Sequence, residues 1–288
     1  MRLFLLVALT MGAFAANSVL NRLALAGGTI DPVSFGTIRL VAGAVMLFAL
    51  VMLLRGGLRL SGPGRIVGGL SLLVYIYGFS LAYTELDSGL GALILFGVVQ
   101  ITMFSGAVLG AETLPARRWI GAGLAFAGLV WLLLPGQEAQ KSVSLWHGAL
   151  MALAGIGWGI YSLNGRRSGD ALQATAANFI LSAPVALLLA AVLWVKGDGS
   201  QIGGHGAVLA IVSGGATSGM GYALWYTLLP RLEASLAAVA QLTVPVLAML
   251  GGMLFLSEPL TWRFVSAAGM VMAGVALSAI PKRQSGSR

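Results

Sequence analysis

Polar side chains that fall inside long apolar runs are the residues of this sequence best placed to do chemistry. Gln100, Asn178 and Gln241 each lie within such a run. Because lipid makes an intramembrane polar group expensive, such groups are typical of substrate or ion sites. Pro245 lacks an N–H and leaves the carbonyl of Gln241 without its helical partner, and Pro184 has the same effect in the run of Asn178. An amide beside a free carbonyl could bind the ammonium or carboxylate of a zwitterion. The alternative is a kinked helix whose glutamine bonds a neighbour.

Aromatic side chains occur in the same kind of run at helical spacing. Three of them stand at positions i, i+4 and i+8 of one run, and two further runs carry smaller groups on one face. Facing rings would bind a flat apolar or aromatic molecule by offset stacking, each pair contributing about 0.5–1.5 kcal/mol. The alternative is ordinary packing between helices, which is the commoner role of such a stripe. The candidate substrate-binding aromatics are Tyr75, Phe79, Tyr83, Trp158, Tyr161 and Tyr222.

Charged residues inside the apolar runs are rare. Arg39 could clamp a substrate carboxylate, but its closeness to Pro32 favours a structural role, in which it snorkels or bonds helix-end carbonyls. Asn17 and Asn21 are expected to bond neighbouring helices. All nine carboxylates fall in loops or at the ends of runs. Since proton-coupled carriers commonly use an intramembrane acid, we expect facilitated export down a gradient, or coupling through another group.

The motifs of enzyme, metal and cofactor sites are missing from the sequence. It has no cysteine, and therefore no disulfide or thiolate ligand, and it has no H-E-x-x-H or nucleophile-elbow motif. His147 and His205 both stand near loops. The run at 136–142 contains a lysine but lacks the glycine that precedes it in a phosphate-binding loop. We therefore predict no enzyme activity, no catalytic residue, no metal and no cofactor.

The composition requires a membrane around these residues. Of the 288 residues, 58% are hydrophobic and 9% are charged, against about 25% charged in soluble domains, and the mean hydropathy is +0.92. The predicted fold class is an all-α integral membrane protein with ten transmembrane helices, since a spanning helix needs about 20 mostly apolar residues. The first run resembles a signal peptide ending before Ala16, but we expect it to be retained as a helix. The runs are at residues 3–21, 32–54, 64–83, 88–111, 116–134, 145–164, 171–195, 206–229, 234–256 and 260–280.

Basic residues predict the orientation of the chain. With the N-terminus in the cytoplasm, the inner segments hold 12 Lys and Arg and the outer segments hold 4. The net charge of +8 comes from residues that stand singly or in pairs, so it marks topology and we predict no nucleic-acid partner. The expected location is the bacterial inner membrane, with both termini cytoplasmic. The expected partners are the lipid bilayer and a small-molecule substrate, with no obligate protein partner evident.

The chain is organised around a duplication. Residues 86–135 and 232–281 align without a gap at a shift of 146 and are identical at 14 of 50 positions, including Glu112/Glu258 and Arg117/Arg263. Weaker matches at a shift of 143 extend the duplication towards the first helix. We predict units at 1–138 and 139–281, followed by a cytoplasmic tail at 282–288. Because five helices per unit is an odd number, the second unit must enter the membrane from the opposite side, as in the inverted repeats of secondary transporters.

Ten spans, two five-helix repeats and an E-x-L-x-x-R turn before a G-x4-G helix (Gly123/Gly128 and Gly269/Gly274) resemble the drug/metabolite transporter superfamily with tandem EamA domains. The resemblance extends to bacterial aromatic amino acid exporters of the YddG type. It implies a central cavity lined mainly by helices 1, 3, 4, 6, 8 and 9, with helices 5 and 10 more peripheral.

From this resemblance and the residues above, we expect a secondary transporter that exports amino acids, aromatic or apolar ones, by alternating access. One alternative keeps the transporter class and changes the cargo to another small metabolite or a drug. From other classes, the alternatives are a membrane-embedded enzyme and a receptor-like protein.

Overall fold

The computed structural model describes residues 2–109, 116–133, 144–165, 168–196, 201–232, 240–241 and 243–279. These residues form helices joined by short turns, and the one extended pairing among them is an isolated bridge between Ile30 and Ile202. Most helix bounds lie within a few residues of the predicted runs. In chain order the helices are α1 (Arg2–Ala26), α2 (Pro32–Arg55), α3 (Arg65–Ala82), α4 (Ser88–Leu109), α5 (Ala116–Leu133), α6 (Leu145–Gly165), α7 (Ala171–Val195), α8 (Gly204–Arg231), α9 (Thr243–Leu256) and α10 (Trp262–Ala279).

Six of the described helices are long and apolar enough to cross a membrane, namely α1 to α4, α7 and α8. α9 and part of α5 are shorter apolar helices. The chain is therefore helical and multi-pass over its described residues, while the number of ten spans stays a prediction. Glu112 of the first charged turn, the loop at 136–142 and the tail at 282–288 lie outside the described residues.

Two aspartates fix where α2 and α7 begin. Asp31 accepts hydrogen bonds from the N–H groups of the second and third residues of α2, and Asp170 does the same for α7. Pro32 occupies the first position of α2, where a missing N–H leaves no hydrogen bond unmade, and the helix begins where the predicted run at 32–54 begins. α2 ends at Gly56, whose φ of 68° is a left-handed conformation that glycine adopts without strain.

The helices pack with large apolar side chains outward and many polar side chains inward. Leu53 and Leu254 are exposed, whereas Arg39, Asn178 and Gln241 are buried. A soluble protein usually buries its large apolar side chains and exposes its polar ones. The outer surface of this bundle has the reverse pattern and therefore suits contact with lipid. α5 and α10 pack mainly on each other and on α4, while the other helices surround a common core.

α8 changes its geometry in the middle of the bundle. π-helical segments are rare and are frequently found at functional sites. Here the π segment has the small-residue sequence S-G-G-A-T-S-G-M, which lets it approach α2 so closely that a Cβ added at Gly214 would overlap the carbonyl oxygen of Arg39. In chain order the parts of α8 are α-helix (Gly204–Val212), π-helix (Ser213–Met220), α-helix (Gly221–Leu228) and 3-10 helix (Leu229–Arg231).

Candidate substrate site

Six aromatic residues that the sequence predicts form one continuous set of ring contacts at the centre of the bundle. Trp158 of α6 lies 4.6 Å from Tyr222 of α8 and 5.0 Å from Tyr75 of α3, measured between ring centroids. The remaining distances along the set are 5.3, 4.6 and 5.5 Å, and all six rings are buried. We call this set the aromatic cluster. Its members are Tyr75, Phe79, Tyr83, Trp158, Tyr161 and Tyr222.

Two phenylalanines that the sequence analysis did not select extend the aromatic cluster. Phe14 of α1 makes edge contacts with Trp158 at 5.4 Å and with Tyr222 at 5.7 Å. Phe179 of α7 lies 5.9 Å from Tyr222. A phenylalanine in an apolar run carries no signal that separates a central ring from a lipid-facing one, so these two could not be chosen from the sequence.

Arg39 of α2 lies against the aromatic cluster and is 0% exposed. Its Nε donates to Ser218 Oγ at 2.9 Å, and its Nη2 donates to Tyr75 Oη at 3.0 Å and to Tyr222 Oη at 2.6 Å. The guanidinium carbon lies 5.0 Å from the ring centroid of Phe79 and 5.3 Å from that of Tyr75. The expectation that Arg39 snorkels or bonds helix-end carbonyls is wrong, because its bonds are to hydroxyl groups of α3 and α8 inside the bundle.

Asn17 of α1 joins the same polar group. Its Oδ1 accepts hydrogen bonds from Ser213 at 2.8 Å and from Thr217 at 2.5 Å, and its Nδ2 lies 3.4 Å from Tyr222 Oη as a donor. Asn21 accepts a hydrogen bond from a serine of α3 at 3.1 Å. Both asparagines therefore bond neighbouring helices, as the sequence predicts.

The three predicted amides differ in their surroundings. Gln241 is fully buried, and its Oε1 accepts a hydrogen bond from Trp158 Nε1 at 3.3 Å. Asn178 is also fully buried, and α3 passes so close that a Cβ added at Gly68 would come within 2.5 Å of its amide. Gln100 is only half-buried on α4. The structure thus brings Gln241 to the aromatic cluster and Asn178 against α3, while a substrate role of Gln100 stays a prediction.

Several buried polar atoms at the centre have no hydrogen-bond partner within the described part of the chain. They include Arg39 Nη1 and Gln241 Nε2. Buried polar groups are normally satisfied by protein, water or ligand, so each such atom calls for an explanation. A site that binds a polar molecule supplies one.

Besides Phe14 and Phe179, the sequence analysis did not select the hydroxyl groups of the π segment of α8, and it favoured a structural role for Arg39 of α2. The resemblance implied a cavity lined by helices 1, 3, 4, 6, 8 and 9, and α2 and α7 also contribute side chains to the centre. One signal could have identified the π segment: Ser213 and Thr217 stand at i and i+4 in an apolar run, among closely spaced glycines. No local signal shows that Arg39 turns inward.

The arrangement suits binding. The side chains at the aromatic cluster offer ring faces, hydroxyl groups, amides and one guanidinium, which are groups that orient a small polar molecule. Within the described residues there is no group of three His, Cys, Asp or Glu that could hold a metal ion.

A separate charged group lies where α4 begins. The carboxylate of Glu258 accepts hydrogen bonds from Ser88 N–H at 2.8 and 3.0 Å and from Ser88 Oγ at 2.5 Å. Arg22 lies 3.9 Å from this carboxylate and 3.7 Å from that of Asp87. Burial raises the pKa of Glu258 above its ordinary 4.5, Asp87 adds to the rise, and the Ser88 bonds and Arg22 oppose it. Glu258 of the second charged turn thus anchors the start of α4.

A second ion pair joins the end of α2 to the start of α7. Arg55 Nε donates to Asp170 Oδ2 at 2.8 Å. Partial burial acts to raise the pKa of Asp170, but the hydrogen bonds from Arg55 and from two backbone N–H groups outweigh it, so this pKa lies below its ordinary 3.8.

Comparison with known proteins places the chain in a family. A sequence model of the EamA-like transporter family matches residues 145–280. An uncharacterized protein of Pseudomonas aeruginosa is 44% identical over 284 residues, which cover 98% of this chain and 96% of that protein. The threonine/homoserine exporter RhtA of Escherichia coli is 30% identical over 216 residues, which cover 71% of this chain and 67% of the exporter.

A more distant relative also has the name of a transporter, and a solved structure shares the fold. An uncharacterized transporter of Archaeoglobus fulgidus is 25% identical over 252 residues, covering 85% of this chain and 88% of that protein. A solved crystal structure that is 20% identical superposes with a TM-score of 0.68, covering 96% of this chain and 98% of that one, and shows that the fold is shared. The chain therefore belongs to the EamA-like transporter family of the drug/metabolite transporter superfamily and is a multi-pass membrane transporter.

Proposed function

We propose that this transporter exports amino acids and that it prefers aromatic or apolar ones. The observation that carries the proposal is the aromatic cluster itself, in which ring faces enclose buried groups able to bind a zwitterion. A ring of the cargo would exchange contacts with the rings of the protein, each worth about 0.5–1.5 kcal/mol. The amide of Gln241, held beside Trp158, is positioned to bond its polar end.

A second cargo class has support of its own. The printed name of the Escherichia coli relative describes export of threonine and homoserine, which are small and carry a hydroxyl group. The π segment of α8 brings Ser213, Thr217 and Ser218 to Asn17 at the centre of the bundle. Hydroxyl groups of this kind suit a small polar amino acid, so threonine is the second candidate.

For the transport cycle, we propose alternating access between inverted halves at 1–138 and 139–281, in the bacterial inner membrane with both termini cytoplasmic. The helix contacts support two equivalent halves. α2 packs on α7, α4 on α9 and α5 on α10, and each of these pairs joins helices at the same position in the two halves. The contact of α3 with α6 is likewise matched by contacts of α8 with α1. Halves that meet in this way could rock about the central aromatic cluster.

The proposal is tested by counterflow in proteoliposomes. Purified protein is reconstituted, the vesicles are loaded with one unlabelled amino acid, and uptake of labelled phenylalanine, tryptophan, methionine and threonine is compared. We expect phenylalanine and tryptophan to enter faster than threonine. Faster entry of threonine would favour the second candidate, and uptake equal to that of empty vesicles for all four would refute amino acid export.

Two additions to this assay address the site and the coupling. Gln241→Ala is expected to lose most uptake while still reaching the membrane. Gln201→Ala, the same change at an exposed side chain, is the matched control and should keep wild-type uptake.

We further propose facilitated transport, because the described carboxylates lie at helix ends and in turns. Uptake that requires a pH gradient and disappears with an ionophore would contradict this.

A further inference from the structure

The centre of the bundle contains a charge that the described protein does not neutralise. Arg39 is 0% exposed, and a guanidinium keeps its positive charge in proteins. Among the described residues, the carboxylates that lie within 4.0 Å of an arginine are paired with Arg22 and Arg55. Two other described acids stand outside the helices, Asp31 just before α2 and Glu85 between α3 and α4. By sequence, the last four acids also stand between the apolar runs, namely Glu112, Glu138, Asp198 and Glu233.

Hydroxyl groups satisfy only part of this guanidinium. Nε bonds Ser218, and both hydrogens of Nη2 are directed to the hydroxyls of Tyr75 and Tyr222. Nη1 has no hydrogen-bond partner within the described residues. Neutral hydroxyls accept hydrogen bonds but supply no opposite charge, and an isolated buried charge costs several kcal/mol unless it is paired.

The surroundings hold the guanidinium in one orientation. The rings of Phe79 and Tyr75 lie 5.0 and 5.3 Å from its central carbon, and Tyr75 Oη lies 2.9 Å from Tyr222 Oη. The carbonyl of Arg39 itself is in contact with the π segment at Gly214. The protein therefore bonds two of the three guanidinium nitrogens, Nε and Nη2, and leaves Nη1 unbonded. A cation held in this way is preorganised to receive an anion.

We propose that Arg39 is the receptor for the carboxylate of the cargo, which supplies the missing negative charge when it binds. One carboxylate oxygen would accept from Nη1, and the other would accept from a tyrosine hydroxyl beside the guanidinium. The proposal deepens the function proposed above, since it rests on a cargo that enters this cluster. It also makes a separate statement, namely that the carboxylate, rather than the ammonium or the side chain, is the group this site requires.

Matched ligands test the proposal on the unaltered protein. Binding to purified transporter is followed by the fluorescence of its tryptophans, of which Trp158 lies in the aromatic cluster. The two pairs are phenylalanine with phenylalaninol and threonine with threoninol, in which the alcohol keeps the ammonium and loses the carboxylate. A fifth probe, 3-phenylpropionate, keeps the carboxylate and lacks the ammonium.

A charge-assisted hydrogen bond contributes about 1.5–3 kcal/mol, which corresponds to a difference in Kd of about ten-fold or more. We expect the acid of at least one pair to bind at least about tenfold more tightly than its alcohol, and 3-phenylpropionate to bind. Equal binding of acid and alcohol in both pairs, or no measurable binding by any carboxylate probe, overturns the proposal. Acid-selective binding without amino acid transport would refute amino acid export and leave the carboxylate receptor standing.

Variants provide an independent reading. Arg39→Gln should remove the preference for the acid, and Arg39→Lys should keep part of it because the charge remains. Arg55→Gln, the same change at the exposed end of α2, is the matched control and should bind like wild type. If Arg39→Gln does not elute as a folded protein, the ligand pairs decide the question alone. A folded Arg39→Gln variant that keeps the full preference for the acid refutes the proposal.

Discussion

The closest approach between α2 and α8 predicts opposite outcomes for two neighbouring glycines. At Gly214 an added Cβ would overlap the carbonyl oxygen of Arg39, and it would lie 2.8 Å from the carbonyl carbon and 2.9 Å from Ala42 Cβ. At Gly215 the nearest atom to an added Cβ is Met46 Cε at 3.7 Å, which is an ordinary contact with the end of a flexible side chain. Gly214→Ala should therefore force the two helices apart, and Gly215→Ala should fit.

The expected loss of stability in Gly214→Ala follows from these distances. Ordinary contact begins at 3.4 Å, so even the contact with Ala42 requires a separation of about 0.5 Å, and backbone atoms cannot rotate away. Overpacking costs about 1–3 kcal/mol, and we expect the upper end because the clash is with backbone. Replacing Gly by Ala within a helix stabilises the helix by about 1 kcal/mol. The net loss for Gly214→Ala is about 2 kcal/mol, or about 4–8 °C in Tm, whereas Gly215→Ala should be neutral or slightly stabilising.

The assay compares thermal unfolding of wild type and the two variants in one detergent, followed by tryptophan fluorescence and by size-exclusion chromatography after heating. Counterflow in proteoliposomes gives the functional reading. Because Gly214 contacts the backbone of Arg39, its variant should also lose uptake, while Gly215→Ala should retain it. Equal Tm values and equal uptake for the two variants would refute the packing between α2 and α8 described above.

Two further predictions concern charged groups at helix ends. Burial raises the pKa of Glu258. The stability that the protonated carboxyl contributes is therefore complete below the ordinary pKa of 4.5 and is lost as the pH rises through the raised pKa. Glu258→Gln, which cannot ionise, should lose less stability than wild type between pH 4.5 and 7. Tm values across this range test this, and equal slopes would contradict it. Asp170 has the opposite sign, because its lowered pKa gives stability that is present above 3.8 and lost as the pH falls through the lowered value. Asp170→Asn should therefore show a smaller loss of Tm in acid than wild type. Asp170→Ala should lose about 1 kcal/mol of stability at neutral pH, because the helix loses its cap. An unchanged Tm of Asp170→Ala at neutral pH would exclude the capping role.

Local patterns in the sequence were enough to predict the described helices and most of the aromatic cluster. Apolar runs are local signals, and they placed α2 and α7 within one residue of their observed bounds. The aromatic candidates could be chosen because large rings at helical spacing are visible along one run. No single run shows that the six rings contact one another, because they come from three helices. The duplication in the sequence restricts which helix arrangements are expected.

The hydrogen-bond partners of the polar residues depend on packing between helices that are distant in the chain. Arg39 stands 36 residues from Tyr75 and 183 from Tyr222, and Glu258 stands 170 from Ser88. α2 carries apolar side chains on its outer side, such as Val45 and Leu53, as well as on its buried side, so its sequence shows no clear polar face. The direction in which Arg39 points therefore depends on how α2 is rotated against α3 and α8. That rotation is set by the close contact at Gly214 and by the π segment, and both arise from packing between helices distant in the chain. For this reason the sequence shows only that Arg39 lies in an apolar run, whereas the packing of the helices places its charge at the centre of the bundle.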